Sequence, residues 1–322
     1  METLGNKTQR TMEVIRDMSD LRDALKTRVT IEWPQDVRQP RAWWDIAQEL
    51  QNESQALAIV SKRHDCTELH SVMPEGTYAL STLMCAEHRS QVIAEIKRKL
   101  QENERVHLIS TQVVECGVDF SFPLVMRALP GLDSVAQAAG RCNREGRMQG
   151  AGRVVVFVPP TDPPRGILTK ARDTTVDLMQ REGWNPEDPF ATETMAAYFE
   201  GMYGRVNSLD RKDILRDLRV EFHGRQPMIN FRKADEKFQM IDSRARWPVI
   251  IPFGRGKGLA TRLIEYGFDR GIMRRLQRYI VTVFEGELER LDLAVYGEDE
   301  EQVRILKDMG QYSEVTGLRI FE

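Results

Sequence analysis

From residue 56 onward, short apolar runs alternate with stretches of helical spacing. ALAIV at 56–60 reads as a buried strand, and HDCTELHSVM at 64–73 as the helix after it. YAL at 78–80 is a brief strand. Val92, Ile93, Ile96 and Leu100 recur at helical intervals within 88–100. VHLIST at 106–111 and FPLVMRAL at 122–129 follow as strands, and Pro130-Gly131 turns the chain. A helix is predicted from Asp133 or Ser134 to about Gly146, a glycine suited to the residue after a helix end. RVVVFV at 153–158 closes the series before Pro159-Pro160. Strands apolar on both faces and separated by helices predict a parallel sheet covered by helices. In such sheets ligands gather beyond the carboxyl ends of the strands, so the loops after Val60, Thr111 and Leu129 should line one edge.

The flanks have a different texture. Residues 1–50 are polar and linker-like around Trp33, Pro34 and Pro40, with Trp43 and Trp44 opening a short helix. Beyond Asp162-Pro163-Pro164, helical patterns run from 166 to 220. Short strands are predicted at 226–231, 237–242 and 247–252, helices at 258–278, and a strand at 279–284. The predicted organisation is a lead-in (1–50), an α/β domain (51–162) and a smaller mixed α/β domain (163–322).

Composition narrows the class. With 322 residues, 41% hydrophobic and 30% charged, the chain has the profile of about two globular domains. No run reaches the ~18–20 apolar residues that span a bilayer. The first residues carry no apolar signal core, so a cytoplasmic location without membrane attachment is expected. Cys66, Cys85, Cys116 and Cys142 form no C-x-x-C pair and are expected to be reduced, mostly buried thiols. Charge is uneven: 18 Lys+Arg against 9 Asp+Glu from Gly204 to Arg278, then 4 against 11 from Val281 to Glu322. Such a block could hold a polyanion, or the two faces could neutralise each other.

Candidate chemistry concentrates in 110–146, STQVVECGVDFSFPLVMRALPGLDSVAQAAGRCNREG. Gln137, Arg141 and Arg144 stand at i, i+4 and i+7 and would share a helix face. Two guanidiniums one turn apart suit a polyphosphate, and an arginine can stabilise the charge of phosphoryl transfer. Taken singly, Ser134-x-x-Gln137 also fits a capping box, and both arginines suit a helix end. The preceding loop adds Ser110-Thr111 at a strand end, then Gly117 for close backbone approach and Asp119 as an acceptor for a ribose hydroxyl or an arginine.

This stretch resembles motifs V and VI of the second RecA-like domain of superfamily 2 helicases. Its wording is similar to the CRISPR-associated helicase–nuclease of type I systems, which unwinds and degrades invading DNA. AIVSKRHDCTELH and LSTLMCAEHRS agree with that family's motif IV region, and FQMIDSRARWPVIIPFG and RRLQRYIVTV with its C-terminal domain. The resemblance spans about 50–322. It implies an α/β fold with a RecA-like parallel sheet flanked by helices, followed by the smaller domain. It implies Arg144 as arginine finger, Arg141 and Gln137 on the nucleotide phosphates or its water, and Gly117 and Asp119 near the ribose. Ser61, Ser81, Thr82, Arg89, Ser110 and Thr111 would touch a single strand. ATP is the implied cofactor, shared with a first RecA-like domain that would bind Mg²⁺. The implied partners are an N-terminal helicase/nuclease half, single-stranded DNA and the crRNA-guided surveillance complex.

Two pieces of such a motor are not read in the sequence. Gly5-Asn6-Lys7-Thr8 imitates the end of a P-loop without its upstream glycine, and Gly254-Arg255-Gly256-Lys257-Gly258 lacks the Ser/Thr after the lysine. Asp299-Glu300-Glu301-Gln302 resembles an acidic box on the wrong side of motif VI. His64-Asp65 is a histidine–aspartate pair by letters, but Asp65 is expected to cap the helix or stay solvated, and no metal site is predicted. The leading expectation is part of an ATP-dependent single-strand translocase, inactive in hydrolysis alone. The alternatives are a non-catalytic module gripping single-stranded DNA or the surveillance complex through the basic block, and an unrelated superfamily 2 fragment acting on RNA or DNA repair intermediates.

Overall fold

The computed structural model describes residues 27–115, 117–206, 208–210, 212–238, 246–297 and 302–321. Gly5–Thr8, Cys116, Asp299–Glu301 and most of the strand predicted at 237–242 lie outside them.

In chain order the first half comprises β1 (Val29–Glu32), α1 (Trp43–Gln51), β2 (Gln55–Ile59), α2 (Arg63–Ser71), β3 (Tyr78–Leu80), α3 (Ala86–Gln101), β4 (Val106–Ser110), β5 (Leu124–Ala128), α4 (Leu132–Ala139) and β6 (Gly152–Phe157). The six strands form one parallel sheet in the order β1-β6-β5-β2-β4-β3. Alternation along β2 decides which face each side chain serves. Leu57 and Ile59 meet Ile96 of α3 and Ala138 of α4 on one face, while Ala56, Ala58 and Val60 meet Ile46 and Leu50 of α1 and Leu69 of α2 on the other. Central strands β4 and β5 are buried at every position, as expected of a sheet covered on both faces.

The described part of the lead-in is not a linker. β1 pairs with β6 from Val29↔Gly152 to Glu32↔Val155, and Arg153 of β6 reaches both Glu32 (2.8 Å) and Glu49 of α1 (3.4 Å). VTIE escapes pattern reading because a four-residue edge strand with alternating burial offers only two apolar positions.

Beyond β6, α5 (Ile167–Met179) and α6 (Thr192–Gly204) pack Ala171, Leu178 and Tyr198 against Leu132 of α4. A short helix α7 (Ile214–Asp217), a hairpin of β7 (Glu221–His223) and β8 (Gln226–Met228), and α8 (Phe231–Lys237) follow. Residue 237 is therefore helical rather than the start of a strand.

The last part contains β9 (Arg246–Ile250), α9 (Gly256–Tyr266), α10 (Arg270–Leu276), β10 (Ile280–Phe284), α11 (Glu285–Leu288), β11 (Leu293–Tyr296), β12 (Val303–Leu306), and the pair β13 (Tyr312–Ser313) and β14 (Gly317–Leu318). β10-β9-β12-β11 make a mixed sheet, parallel only between β9 and β12. Its core includes Leu83 and Cys85 from the loop after β3, so the smaller sheet is welded to the larger. Leu318 N–H donates to Leu83 O (2.9 Å). Gly317 allows that approach: its φ is +84°, and a Cβ there would lie 2.5 Å from Leu83 O. Beside it, His88 of α3 stacks on Phe253 at 4.5 Å and bonds Tyr312 and Glu314.

Candidate functional site

The loop after β4 is anchored by charge buried under the sheet edge. Arg127 is the penultimate residue of β5 and is 1% exposed. Its guanidinium lies 3.0 Å from the Glu115 carboxylate and donates to Ala128 O (3.1 Å) and Ile59 O (3.3 Å). The Nε–H is not aimed at that carboxylate oxygen, so the attraction is mainly coulombic. Burial pushes the Glu115 carboxyl up and the Arg127 guanidinium down, and each partner's charge works against that shift in the other. Nothing in the sequence singled out this pair: one arginine inside FPLVMRAL reads as an interruption of an apolar run. The available signal was its cost, since a charge in a central strand must be paired.

Arg141 completes the anchor. Its Nε donates to Val114 O (2.7 Å) and its Nη2 to Glu115 O (2.6 Å), so the side chain, 9% exposed, grips the backbone of the loop. The expectation that Gln137, Arg141 and Arg144 share a helix face is not met. α4 starts at Leu132, behind an N-cap at Gly131, and ends at Ala139, capped by Gly140 rather than running to Gly146. Beyond the cap the backbone pairs with the residues before β5: Phe122 N–H donates to Arg141 O (2.9 Å) and Asn143 N–H to Phe122 O (3.0 Å). Those bonds take the place of helical ones. Ser134 sits inside the first turn, so the capping box at Ser134 and Gln137 does not form.

Arg144 stands beyond this bridge. Its side chain is 38% exposed and pairs with Asp119 at 2.9 Å, and its backbone N–H donates to Ser121 Oγ (3.0 Å). Gln137 is exposed on α4. Gly117 has φ +76°, and a methyl group at its Cα would meet no atom within 4 Å, so the space over the loop is open. Arg144 offers an exposed guanidinium, Gln137 an exposed amide and Gly117 an open turn. They supply no enclosing cradle. Among the described residues no group of three or more His, Cys, Asp or Glu is placed to hold a metal ion.

A second feature is a groove of about 1170 Å³ at the carboxyl ends of β2, β3 and β4, roofed by the smaller sheet. Ser61, Thr82 and Thr111 from three loops and Arg89 from α3 line it, with Arg246 and Phe284 of the smaller sheet. Arg89 is half-buried and donates to Met84 O (2.6 Å), and burial holds its pKa below the ordinary value. Ser81 and Ser110 are not in this wall. Ser81 Oγ accepts from Leu83 N–H (3.1 Å), and Ser110, fully buried, donates to Leu80 O (2.9 Å) or Thr111 O (2.8 Å). Both hydroxyls shape the loops that carry Thr82 and Thr111.

The motif look-alikes have structural explanations. Asp65 is 1% exposed, neither cap nor solvated: its carboxylate accepts from Thr161 Oγ1 (2.8 Å), and burial raises its pKa. Lys62 is the N-cap of α2. In the Gly254–Gly258 loop, Gly256 lies against Tyr279, where a Cβ would come within 2.5 Å of the ring. Cys66 and Cys142 are buried thiols pushed up to about 12, and Cys85 is a free, buried thiol.

With this geometry in place, the comparisons are specific. The sequence profile of the CRISPR-associated nuclease/helicase Cas3, C-terminal, matches residues 45–147. Residues 45–147 are thus similar to a Cas3-like C-terminal domain. That segment runs from α1 to just past Arg144 and takes in the buried anchor and the larger domain's wall of the groove. Cas3 of Haloferax volcanii is 37% identical over 106 residues, which is 31% of this chain and 11% of that protein. Cas3 of Methanothermobacter thermautotrophicus is 30% identical over 136 residues, 40% of this chain and 16% of the relative. The chain thus matches well under a fifth of either relative's length. T. fusca Cas3 crystallised with AMPPNP shares the fold with a TM-score of 0.56 at 14% identity, over 90% of this chain and 42% of that one. A chain of a CRISPR RNA-guided surveillance complex in a pre-nicking state gives 0.55 at 16% identity, over 91% and 43%. The likeness therefore extends across the smaller sheet as well as the Cas3-like segment. No described helix is long and apolar enough to cross a membrane.

Proposed function

We propose that this chain supplies the second RecA-like face and the C-terminal part of an ATP-dependent single-strand DNA translocase acting in type I CRISPR interference. The observation that carries the reading is the groove. Four residues expected to meet a single strand (Ser61, Thr82, Arg89 and Thr111) converge there from three loops and α3. Hydroxyl and guanidinium donors on one wall suit phosphate oxygens.

The nucleotide would be shared. Its phosphates would meet Arg144 and Gln137 on this side, while a P-loop and the carboxylates for Mg²⁺ come from outside these 322 residues. Bound ATP supplies the phosphoryl group whose transfer drives translocation. Arg144 would exchange Asp119 for the developing negative charge, a swap that its partial exposure permits. Asp119 would then hold the guanidinium when no nucleotide is present. Arg141 acts through the loop, fixing Val114 and Glu115 so that Gly117 and Asp119 keep their places.

Because Arg127 bonds the carbonyl of Ile59 at the groove and pairs with Glu115 in the nucleotide loop, the two faces share one buried anchor. A second reading, a module that grips single-stranded DNA or the surveillance complex without catalysis, draws on the exposed Arg255, Lys257, Arg262, Arg270, Arg274 and Arg275 of α9 and α10 and the loop before α9. Hydrolysis separates them. With a separately produced P-loop half, DNA-stimulated ATP turnover is expected under the first reading and absent under the second.

A further inference from the structure

One groove residue, Phe284, is not among the residues expected to meet a single strand. Alternation along β10 buries Val281 and Val283 in the core of the smaller sheet and turns Thr282 and Phe284 outward. Phe284 is 48% exposed and lines the groove with Ser61, Thr82 and Thr111. Its ring is flanked by two guanidiniums. Arg63, from the start of α2 in the larger domain, lies 5.0 Å from the ring centre, and Arg246, its cross-strand partner on β9, lies 5.7 Å away. The ring is held in position: Glu287 accepts from Phe284 N–H (2.8 Å) and pairs with Arg63 (2.5 Å), whose other nitrogen reaches Thr282 O (3.5 Å).

We propose that Phe284, with Arg246 beside it, is a stacking shelf for an unpaired nucleobase of the strand in this groove. The proposal rests on the reading of the groove as a single-strand path. A half-exposed aromatic ring among guanidiniums in a basic groove suits a ligand that alternates planar rings with anions. Lys62, Arg63, Arg89 and Arg246 line the same groove. Glu287, beside the ring, is paired with Arg63, which offsets its charge. Aromatic rings accept bases of any identity, and a guanidinium over the ring strengthens the stack and reaches the neighbouring phosphate. The shelf also spans the junction: a base on Phe284 would touch the smaller sheet while its phosphates lie against Thr111 and Thr82.

The test uses the full chain, fluorescein-labelled oligo-dT, and the same oligonucleotide with abasic sites, read by anisotropy across a salt series. Phe284→Ala is expected to weaken oligo-dT binding by about tenfold, the loss typical of one stacked base, with the salt slope unchanged. Arg246→Ala should lower the slope by about one. Wild type should prefer oligo-dT over the abasic strand, and Phe284→Ala should lose most of that preference. Phe284→Leu, which keeps an apolar side chain at the site, should behave like the alanine variant, and Phe284→Trp like wild type. Unaltered binding by Phe284→Ala, or a base preference that survives in it, overturns the shelf while leaving the groove intact. Wild-type protein with no salt-dependent binding to oligo-dT overturns the groove reading and the shelf with it.

Discussion

Arg127 and Glu115 carry opposite charges in a place where neither could stay alone. Each is nearly out of solvent, and each depends on the other and on backbone carbonyls for its charge. Removing one partner of such a pair typically costs about 3–5 kcal/mol, because the other is left buried and uncompensated. Arg127→Met and Glu115→Gln should each lower the urea midpoint strongly, and the double variant should recover part of the loss. Additive losses would mean that the two groups do not depend on each other. His88 gives a pH-dependent counterpart. Its Nε2 faces the Glu314 carbonyl (2.9 Å) and must donate there; in the neutral ring Nδ1 then accepts from Tyr312 OH (2.9 Å). Burial lowers its pKa below 6.5. The unfolded chain therefore takes up the proton first, and stability should fall as pH drops through 6.5 toward the folded value. The buried His107 adds a slope of the same sign. His88→Gln should remove only the first share, measured as the difference between two urea-midpoint profiles. None of these pairings was legible beforehand, because a lone charge in an apolar run or a lone histidine on a helix does not name its partner.

At the scale of elements, the strands were legible and one helix end was not. ALAIV, VHLIST and RVVVFV are continuous apolar runs, and burial on both faces of a parallel sheet leaves them little choice. The pattern of α4 runs on to Gly146 only if local spacing decides. A bridge from Phe122 to Arg141 and Asn143 ends it earlier. That contact joins residues about twenty apart, beyond the reach of a helical window. It also gives the two arginines different work. Arg141→Ala should lower thermal stability, since it removes donors to Val114 O and Glu115 O. Arg144→Ala should leave stability nearly unchanged and reduce hydrolysis by the completed motor by about 10³–10⁵-fold, the range found for arginine fingers. A fall below tenfold would make Arg144 a structural residue. Of the single-strand candidates that the resemblance implied, Ser61, Thr82, Arg89 and Thr111 line the groove and Ser81 and Ser110 do not. Ser110 and Ser81 turn inward to brace the loops that present Thr111 and Thr82.

Across the whole molecule, the two sheets act as one body around α3 and the loop before it. Leu83 and Cys85 enter the core of the smaller sheet, and His88 is held between Phe253 and Tyr312. The groove exists because of that docking, with one wall from each side. Motif wording reached both domains, but β11 and β12 of the smaller sheet were not predicted, since strands of four residues carry little pattern. On the proposed function, this chain is one face of a shared nucleotide site. ATP turnover by the chain, alone and with a separately produced P-loop half, with and without single-stranded DNA, tests that most directly. The chain alone should show no turnover, and adding the second half should give DNA-stimulated turnover. Strong hydrolysis by the isolated chain would contradict the shared site.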